Sequence, residues 1–312
     1  MKEKRLLLDC DPGHDDAIAM MLAARHPKID LLGITVVSGN QTLNKTGKNA
    51  LHLCEYLKID VPVCLGCPRP MVRDVEICPQ IHGESGLDGV TFSPLKRSVD
   101  SRHAVDFIIE TLLQSDDKVT CVTTGPMTNL ALAMRLEPGI ANHIREIIVM
   151  GGSYANGNVS PAAEFNIYED PEAADIVFRS DVPVTMVGLD VTRKVMALPD
   201  IVKRMDTIQN KASDLFVKLM KVFNENQRKI FGLPGGPLHD PVTIAYMIDP
   251  TVLKVEFVHC SIDLSHGESY GRTNCDIYDY QHKEKNTHVA TDIDVDKFWD
   301  LIEEGLTRYD DL

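Results

Sequence analysis

Leu6 to Asp16 reads LLLDCDPGHDD: an apolar run breaks at Pro12-Gly13, and Asp9, Asp11, Asp15 and Asp16 crowd around the break. Three leucines running into a Pro-Gly turn read as a strand leading into a helix. Four carboxylates at a strand end repel one another and raise one another's pKa, so the cluster is costly unless a cation or strong hydrogen-bond donors compensate it. Helix capping accounts for one or two of them. The remainder point to a hard-metal site.

Working outward, short apolar runs recur at Leu31 to Val37, Val61 to Leu65, Val119 to Thr123, Ile147 to Met150 and Val184 to Leu189. Between them lie segments of helical spacing: Ala17 to Ala24, Thr42 to Lys58, Arg102 to Gln114, Met127 to Arg135 and Pro171 to Arg179. Alternation of this kind predicts an α/β fold, an open and mostly parallel sheet with helices on both faces. Ligands of such folds bind outside the carboxyl ends of the strands. The polar motifs lie at those ends, since Ser38-Gly39-Asn40, Thr124-Gly125-Pro126 and Gly151-Gly152 each follow an apolar run.

Pro199 to Lys229 is largely helical and is broken by Gly232 to Pro237 (GLPGGP) just before His239-Asp240, a place for a lid or hinge. Val252 to Ile262 alternates apolar and polar residues, and Phe298 to Leu306 reads as a closing helix. No repeat or linker interrupts the chain, so a single domain over residues 1–312 is expected.

With 44% hydrophobic residues and a formal charge of -14, the chain has the material for a large core and no basic run for nucleic acid or an anionic membrane. The N-terminal apolar run is too short for a signal peptide, no run reaches membrane-spanning length, and the cytoplasm is the expected location. Cys10, Cys54, Cys121 and Cys260 sit among apolar residues as buried fillers. Cys64 and Cys67 form a lone CxxC with no ligand-spaced partner, and read as two thiols near a strand end.

Two further groups bear chemistry. Asn158 and the stretch Glu164-Phe165-Asn166 offer donors and acceptors suited to hydroxyl groups, or else to the loop's own turns. His82, in a glycine-bearing segment, and His239, beside Asp240, are candidate acids or bases.

These residues together resemble the inosine-uridine nucleoside hydrolase family. The resemblance rests on LLLDCDPGHDDAIA (residues 6–19), GNQT (39–42), IHGESGLDG (81–89), TTGPMTNLA (123–131), VMGG (149–152), AEFNIYEDPEAA (163–174) and HDP (239–241). It implies a Rossmann-like single domain and calcium-dependent cleavage of the N-glycosidic bond of ribonucleosides, with one Ca2+ per subunit. It implies Asp11, Asp16, Asp240 and the main-chain carbonyl of Thr124 as calcium ligands, with Asp11 also the base that deprotonates the attacking water. Asp15 and Asn40 are then contacts to the ribose diol, and Asn158, Glu164 and Asn166 hold the ribose, with Phe165 among the substrate contacts.

His239, with His82 second, is the expected proton donor to the leaving base. Gln227 to Phe231 is expected on a flap over that base. Pyrimidine-preferring members carry a Gln and a Tyr there, whereas this chain has Gln227 and Phe231, which leaves a purine-preferring or nonspecific enzyme as the alternative. The likeness also implies a homo-oligomer, a homotetramer in many relatives. Three other classes compete: an aspartate-dependent phosphohydrolase, a nucleoside phosphorylase, and a nucleoside-binding protein that has lost turnover. The first has no use for the AEFN loop or His239-Asp240, an acidic site disfavours the phosphate needed by the second, and the full acidic set argues against the third.

Overall fold

The computed structural model describes residues 4–312; residues 1–3 of the charged N-terminus, which entered the reading of that end, lie outside it. Its strands are β1 (Lys4–Cys10), β2 (Ile29–Val36), β3 (Val63–Leu65), β4 (Val119–Thr123), β5 (Ile144–Met150), β6 (Val184–Val187), β7 (Leu253–Val258), β8 (Cys260–Ile262), β9 (Thr273–Cys275) and β10 (Thr287–Ile293). Eight of them form one sheet in the order β3-β2-β1-β4-β5-β6-β10-β7, and β8 pairs with β9 in a separate two-stranded sheet. Within the large sheet only β7 runs antiparallel to its neighbour.

The order of the first six strands is that of a doubly wound fold, in which the direction of winding reverses between β1 and β4. Loops leaving the carboxyl ends of those two strands diverge to opposite faces and leave a crevice. Asp11 follows β1 and Thr124 follows β4, so the motifs that bear chemistry meet at the crevice.

Side chains of each strand alternate between two cores. On one face Leu6 and Leu8 pack with Met20, Leu53, Phe216 and Phe298; on the other Leu7 packs with Phe107, Ile108 and Leu130. Burial on both faces explains why the strands read as near-continuous apolar runs. The expected helices are present as His14–Arg25, Leu43–Leu57, Ala104–Gln114, Thr128–Leu136 and Pro171–Phe178. The helical stretch before the glycine break resolves into Pro199–Asp206 and Lys211–Phe231, and the chain closes on Val295–Thr307.

Three readings change. β1 extends through Cys10, so Asp9 is a strand residue: its Oδ1 accepts from Thr35 Oγ1 at 2.6 Å and Asn129 Nδ2 at 2.8 Å, which makes a carboxylate tolerable between two central strands. The alternating stretch Val252 to Ile262 is two strands interrupted at His259, each in a different sheet. β10, whose polar Thr287, His288, Thr291 and Asp292 keep it from standing out in sequence, inserts between β6 and β7.

The four filler cysteines are buried as expected. Cys64 lies inside β3 and Cys67 is also buried, and burial pushes both thiols up to about 12, so they stay protonated and inert at neutral pH. Among the described residues no helix is long and apolar enough to cross a membrane.

Leu8 is fully buried between Ile34 and Val122 of the flanking strands. Leu8→Ala is expected to cost about 2–5 kcal/mol, read as a lower midpoint with an unchanged slope in urea unfolding.

Candidate functional site

At the carboxyl edge of β1, β4 and β5 lies a cavity of about 660 Å³. Its acidic wall is formed by Asp15, Asp240 and Glu164 with Asn40, Thr124, Asn158 and Asn166; its apolar wall carries Ile81, Met196, Ile230, Phe231 and Leu233. Asp11 and Asp16 lie behind the acidic wall and are fully buried.

Local structure puts the acids there. Asp15 and Asp16 occupy the first turn of the helix His14–Arg25, and Asp240 is the N-cap of Pro241–Ile248. Two helix N-termini thus contribute positive potential to one acidic cluster. Asp16 accepts from Gly13 N at 2.9 Å and Asn40 Nδ2 at 3.1 Å on one oxygen, and from Thr124 Oγ1 at 2.8 Å on the other. Asp11 Oδ2 accepts from Asn40 N at 2.7 Å, and Asp15 Oδ2 accepts from His239 N at 3.3 Å.

A Cβ at Gly39 or at Gly125 would sit 2.1 Å and 2.6 Å from the Asp11 carboxylate. Glycine at both places is what lets two loops close on that group.

Donors do not balance the charge. Burial raises Asp11, Asp16 and Asp240 above the usual carboxylate range; neighbouring carboxylates add to the rise at Asp11 and Asp240, whereas at Asp16 the hydrogen bonds from Gly13 and Thr124 oppose it. Asp15 is pushed up to about 7 by burial and by Asp16. Asp15, Asp16 and Asp240 each place an oxygen within 4.8 Å of the others, and Asp11 Oδ1 is buried with no hydrogen-bond partner. Three convergent carboxylates, an orphaned fourth oxygen and only oxygen donors fit a hard divalent cation.

Of the expected ligands, Asp16 and Asp240 belong to this cation-sized group. Asp15, expected as a diol contact, stands in it where Asp11 was expected. The Thr124 carbonyl lines the same wall and accepts from Asn166 Nδ2 at 2.9 Å, which leaves it a second lone pair.

The ribose candidates converge too. Glu164 caps the helix Phe165–Glu169, with Oε2 accepting from Gly152 N at 3.0 Å and Ile167 N at 3.1 Å, and burial pushes it up to about 6. Asn158 Oδ1 accepts from Phe165 N at 2.9 Å. Asn40, expected on the diol, spends its amide on the Asp11 carbonyl and on Asp16, so it also binds the acids together. Gln227 and Phe231 line the cavity from the end of Lys211–Phe231, Gln227 buried and Phe231 half exposed.

The two histidines separate. His239 lines the cavity, and burial pushes it down to about 3, with the Arg193 charge adding to the effect. His82 does not reach the cavity wall. It is buried against His14 and Phe223 with its Nδ1 accepting from His14 N at 3.2 Å, because the short helix Pro79–His82 turns Gln80 and Ile81 to the cavity instead. A role for His82 as a group that touches substrate is therefore not met in this arrangement.

Sequence reasoning missed Arg193, which lines the cavity, and Thr192, bonded to His239 Nδ1 at 2.7 Å. Neither belongs to a motif. Their one signal is position, in the turn that leaves the carboxyl end of β6.

Residues 6–300 match the family described as inosine-uridine preferring nucleoside hydrolase. The chain is 49% identical over 309 residues to the pyrimidine-specific ribonucleoside hydrolase RihB of Shigella flexneri serotype 5b, covering 99% of each chain. The same figures hold for RihB of Escherichia coli strain SMS-3-5. Among solved structures it resembles a purine-preferring ribonucleoside hydrolase from Gardnerella vaginalis, with a TM-score of 0.90 and 33% identity over 97% of this chain and 99% of that one. A plant nucleoside hydrolase, PpNRh1, matches with a TM-score of 0.91 and 30% identity over the same shares. The doubly wound α/β fold is the frame shared with these solved structures, and the chain belongs to the inosine-uridine preferring nucleoside hydrolase family.

Because the clustered carboxylates hold protons that an ion must displace, affinity for a divalent cation is expected to fall as pH drops from about 8 to about 5. Calorimetric titration with Ca2+ in buffers of different ionisation enthalpy reads both the affinity and the protons released; a pH-independent affinity with no proton release would contradict the cluster as the ligand set.

Proposed function

We propose that this protein hydrolyses the N-glycosidic bond of pyrimidine ribonucleosides such as uridine and cytidine, with one Ca2+ held per subunit. The observation that carries the reading is the pairing of a buried carboxylate cluster with a facing apolar wall in one cavity, the first suited to ribose and a cation, the second to a base. The 49% identity to pyrimidine-specific enzymes, against 33% to a purine-preferring one, supports the pyrimidine preference.

Asp16, Asp240, Asp11 and the Thr124 carbonyl would hold the ion. When bound, calcium supplies a Lewis acid that lowers the pKa of water and offers open positions to a sugar diol. Asp15 beside the diol and Asn158, Glu164 and Asn166 around the ring hold the ribose against that wall. Asp11 takes the proton from the attacking water through the carboxylate oxygen that has no partner in the fold.

Positive charge grows on the anomeric carbon as the bond to the base breaks, and the surrounding carboxylates stabilise it. Neutral His239 donates a hydrogen bond from its imidazole N–H to the negative charge growing on the departing base, which then takes its proton from water, while Gln227 and Phe231 contact the base from the other wall. Family likeness also supports a homotetramer acting on free nucleosides in the cytoplasm as one 312-residue domain.

The decisive experiment incubates uridine, cytidine, inosine and adenosine with the purified protein in phosphate-free buffer, with and without a strong calcium chelator. Free ribose and base are expected, fastest from the pyrimidine nucleosides and lost on verified metal removal; undiminished turnover without metal would refute the mechanism. Asp11→Ala is expected to lower kcat by about 10²–10⁴-fold, the span of a general base.

Phe231 offers the base a ring without a hydroxyl. Phe231→Tyr is accordingly expected to raise kcat on uridine with little change on activated aryl ribosides, and steady-state kinetics on both substrates checks it.

A further inference from the structure

The geometry points to Thr192 as the positioning residue that decides which imidazole nitrogen of His239 carries the proton. The inference rests on the reading of His239 as donor to the leaving base. Thr192 is fully buried, and among the described residues its hydroxyl has one hydrogen-bond partner, His239 Nδ1 at 2.7 Å.

A neutral imidazole has one N–H and one lone pair, and a hydroxyl has one hydrogen to give. If Nδ1 carried the proton and donated it, the Thr192 hydrogen would be buried with no acceptor, an arrangement that native structures avoid. If Thr192 donates, every atom of the pair is satisfied: Nδ1 accepts, and the proton resides on Nε2. The N–H able to serve the base is then the one not spent on the fold.

The spacing of the pair is built into the backbone. Thr192 N donates to Gly188 O at 3.2 Å, Leu238 N to Val195 O at 3.0 Å and Ala197 N to Gly236 O at 2.8 Å, so the turn after β6 is zipped to the segment ending at His239. His239 N is held in addition by Asp15 Oδ2 at 3.3 Å.

The same turn reaches the sugar side of the cavity. Asp190 accepts from Ser153 Oγ, Tyr154 N and Ala155 N, and Arg193 donates to the carbonyls of Asn156 and Gly157, next to Asn158. One turn therefore positions the donor to the base and the loop against the ribose. A Thr→Val change removes only the hydroxyl hydrogen bond and keeps the shape of the side chain.

The test compares wild type, Thr192→Val, Thr192→Ser and His239→Ala on uridine and on p-nitrophenyl riboside, whose leaving group departs without a proton. Thr192→Val is expected to lower kcat on uridine on the order of 10-fold or more, as removal of a buried hydrogen bond does, with KM and turnover of the aryl riboside within about 3-fold. Thr192→Ser, which keeps the donor, is expected to restore uridine turnover. 15N NMR of labelled histidine should show His239 protonated at Nε2 in wild type and Thr192→Ser, and a mixed tautomer in Thr192→Val. Equal losses on both substrates, failure of the Ser variant with a folded spectrum, or an unchanged tautomer in Thr192→Val would overturn the role of Thr192. The underlying reading fails separately: His239→Ala slowing both substrates equally removes His239 as donor, whereas a selective His239→Ala with wild-type Thr192→Val removes Thr192 alone.

Discussion

Everything at the centre of this molecule is arranged around the cost of burying like charges. Four carboxylates, Asp11, Asp15, Asp16 and Asp240, are buried side by side in and just behind one wall of the cavity, and each is held there by the fold. Backbone amides at Gly13, Asn40 and His239, the Thr124 hydroxyl and two helix N-termini lower that cost without cancelling it. The residual demand for positive charge is what the site offers chemically. In the proposed mechanism a cation would meet it in the resting protein and a sugar gaining oxocarbenium character would meet it in the transition state.

The sheet topology supplies the constraint that lets such a cluster exist. Winding reverses between β1 and β4, and the loops beyond these strands part enough to leave a crevice. Asp9 is the hinge pin of this arrangement. It sits inside β1, bonded to β2 through Thr35 and to the helix Thr128–Leu136 through Asn129, and Asn129 in turn accepts from Cys67 N. Through its Oδ1 this buried carboxylate ties together the segments that carry the other acids, while its Oδ2 has no hydrogen-bond partner and burial pushes the group up to about 7.

Across the cavity the physics changes. The opposite wall comes from the end of one long helix and the glycine-rich segment after it, and presents Ile230, Phe231 and Leu233. Gly232 ends the helix in the left-handed conformation, and Ile230 and Phe231 just before it are partly exposed, unlike the buried acids opposite. In the proposed function the polar wall takes the sugar and the apolar wall the base. His239 sits where they meet, with its backbone tied to the acids and its ring tied to Thr192.

Much of this was legible in the sequence. Near-continuous apolar runs alternating with helical spacing specified the doubly wound sheet, because burial on both faces leaves no other pattern, and the carboxylates around Pro12-Gly13 marked the site because no other economy explains their density. Local pattern could not say how far β1 runs, since strand ends are set by the partners across the ladder and Asp9 is acceptable only because Thr35 and Asn129 arrive from elsewhere. Nor could it place the histidines: the motifs rank His239 before His82, but tertiary packing alone puts His82 behind a phenylalanine and His239 at the cavity. Thr192 and Arg193 carry no motif at all, because their significance lies in a turn after β6 being zipped to a segment more than forty residues on. Sequence by itself determined the layered fold and the acidic chemistry, which follow from composition and period along the chain. Tertiary structure decided which oxygens converge within 4.8 Å and which histidine lines the cavity, because these are distances between loops that only the closed sheet brings together.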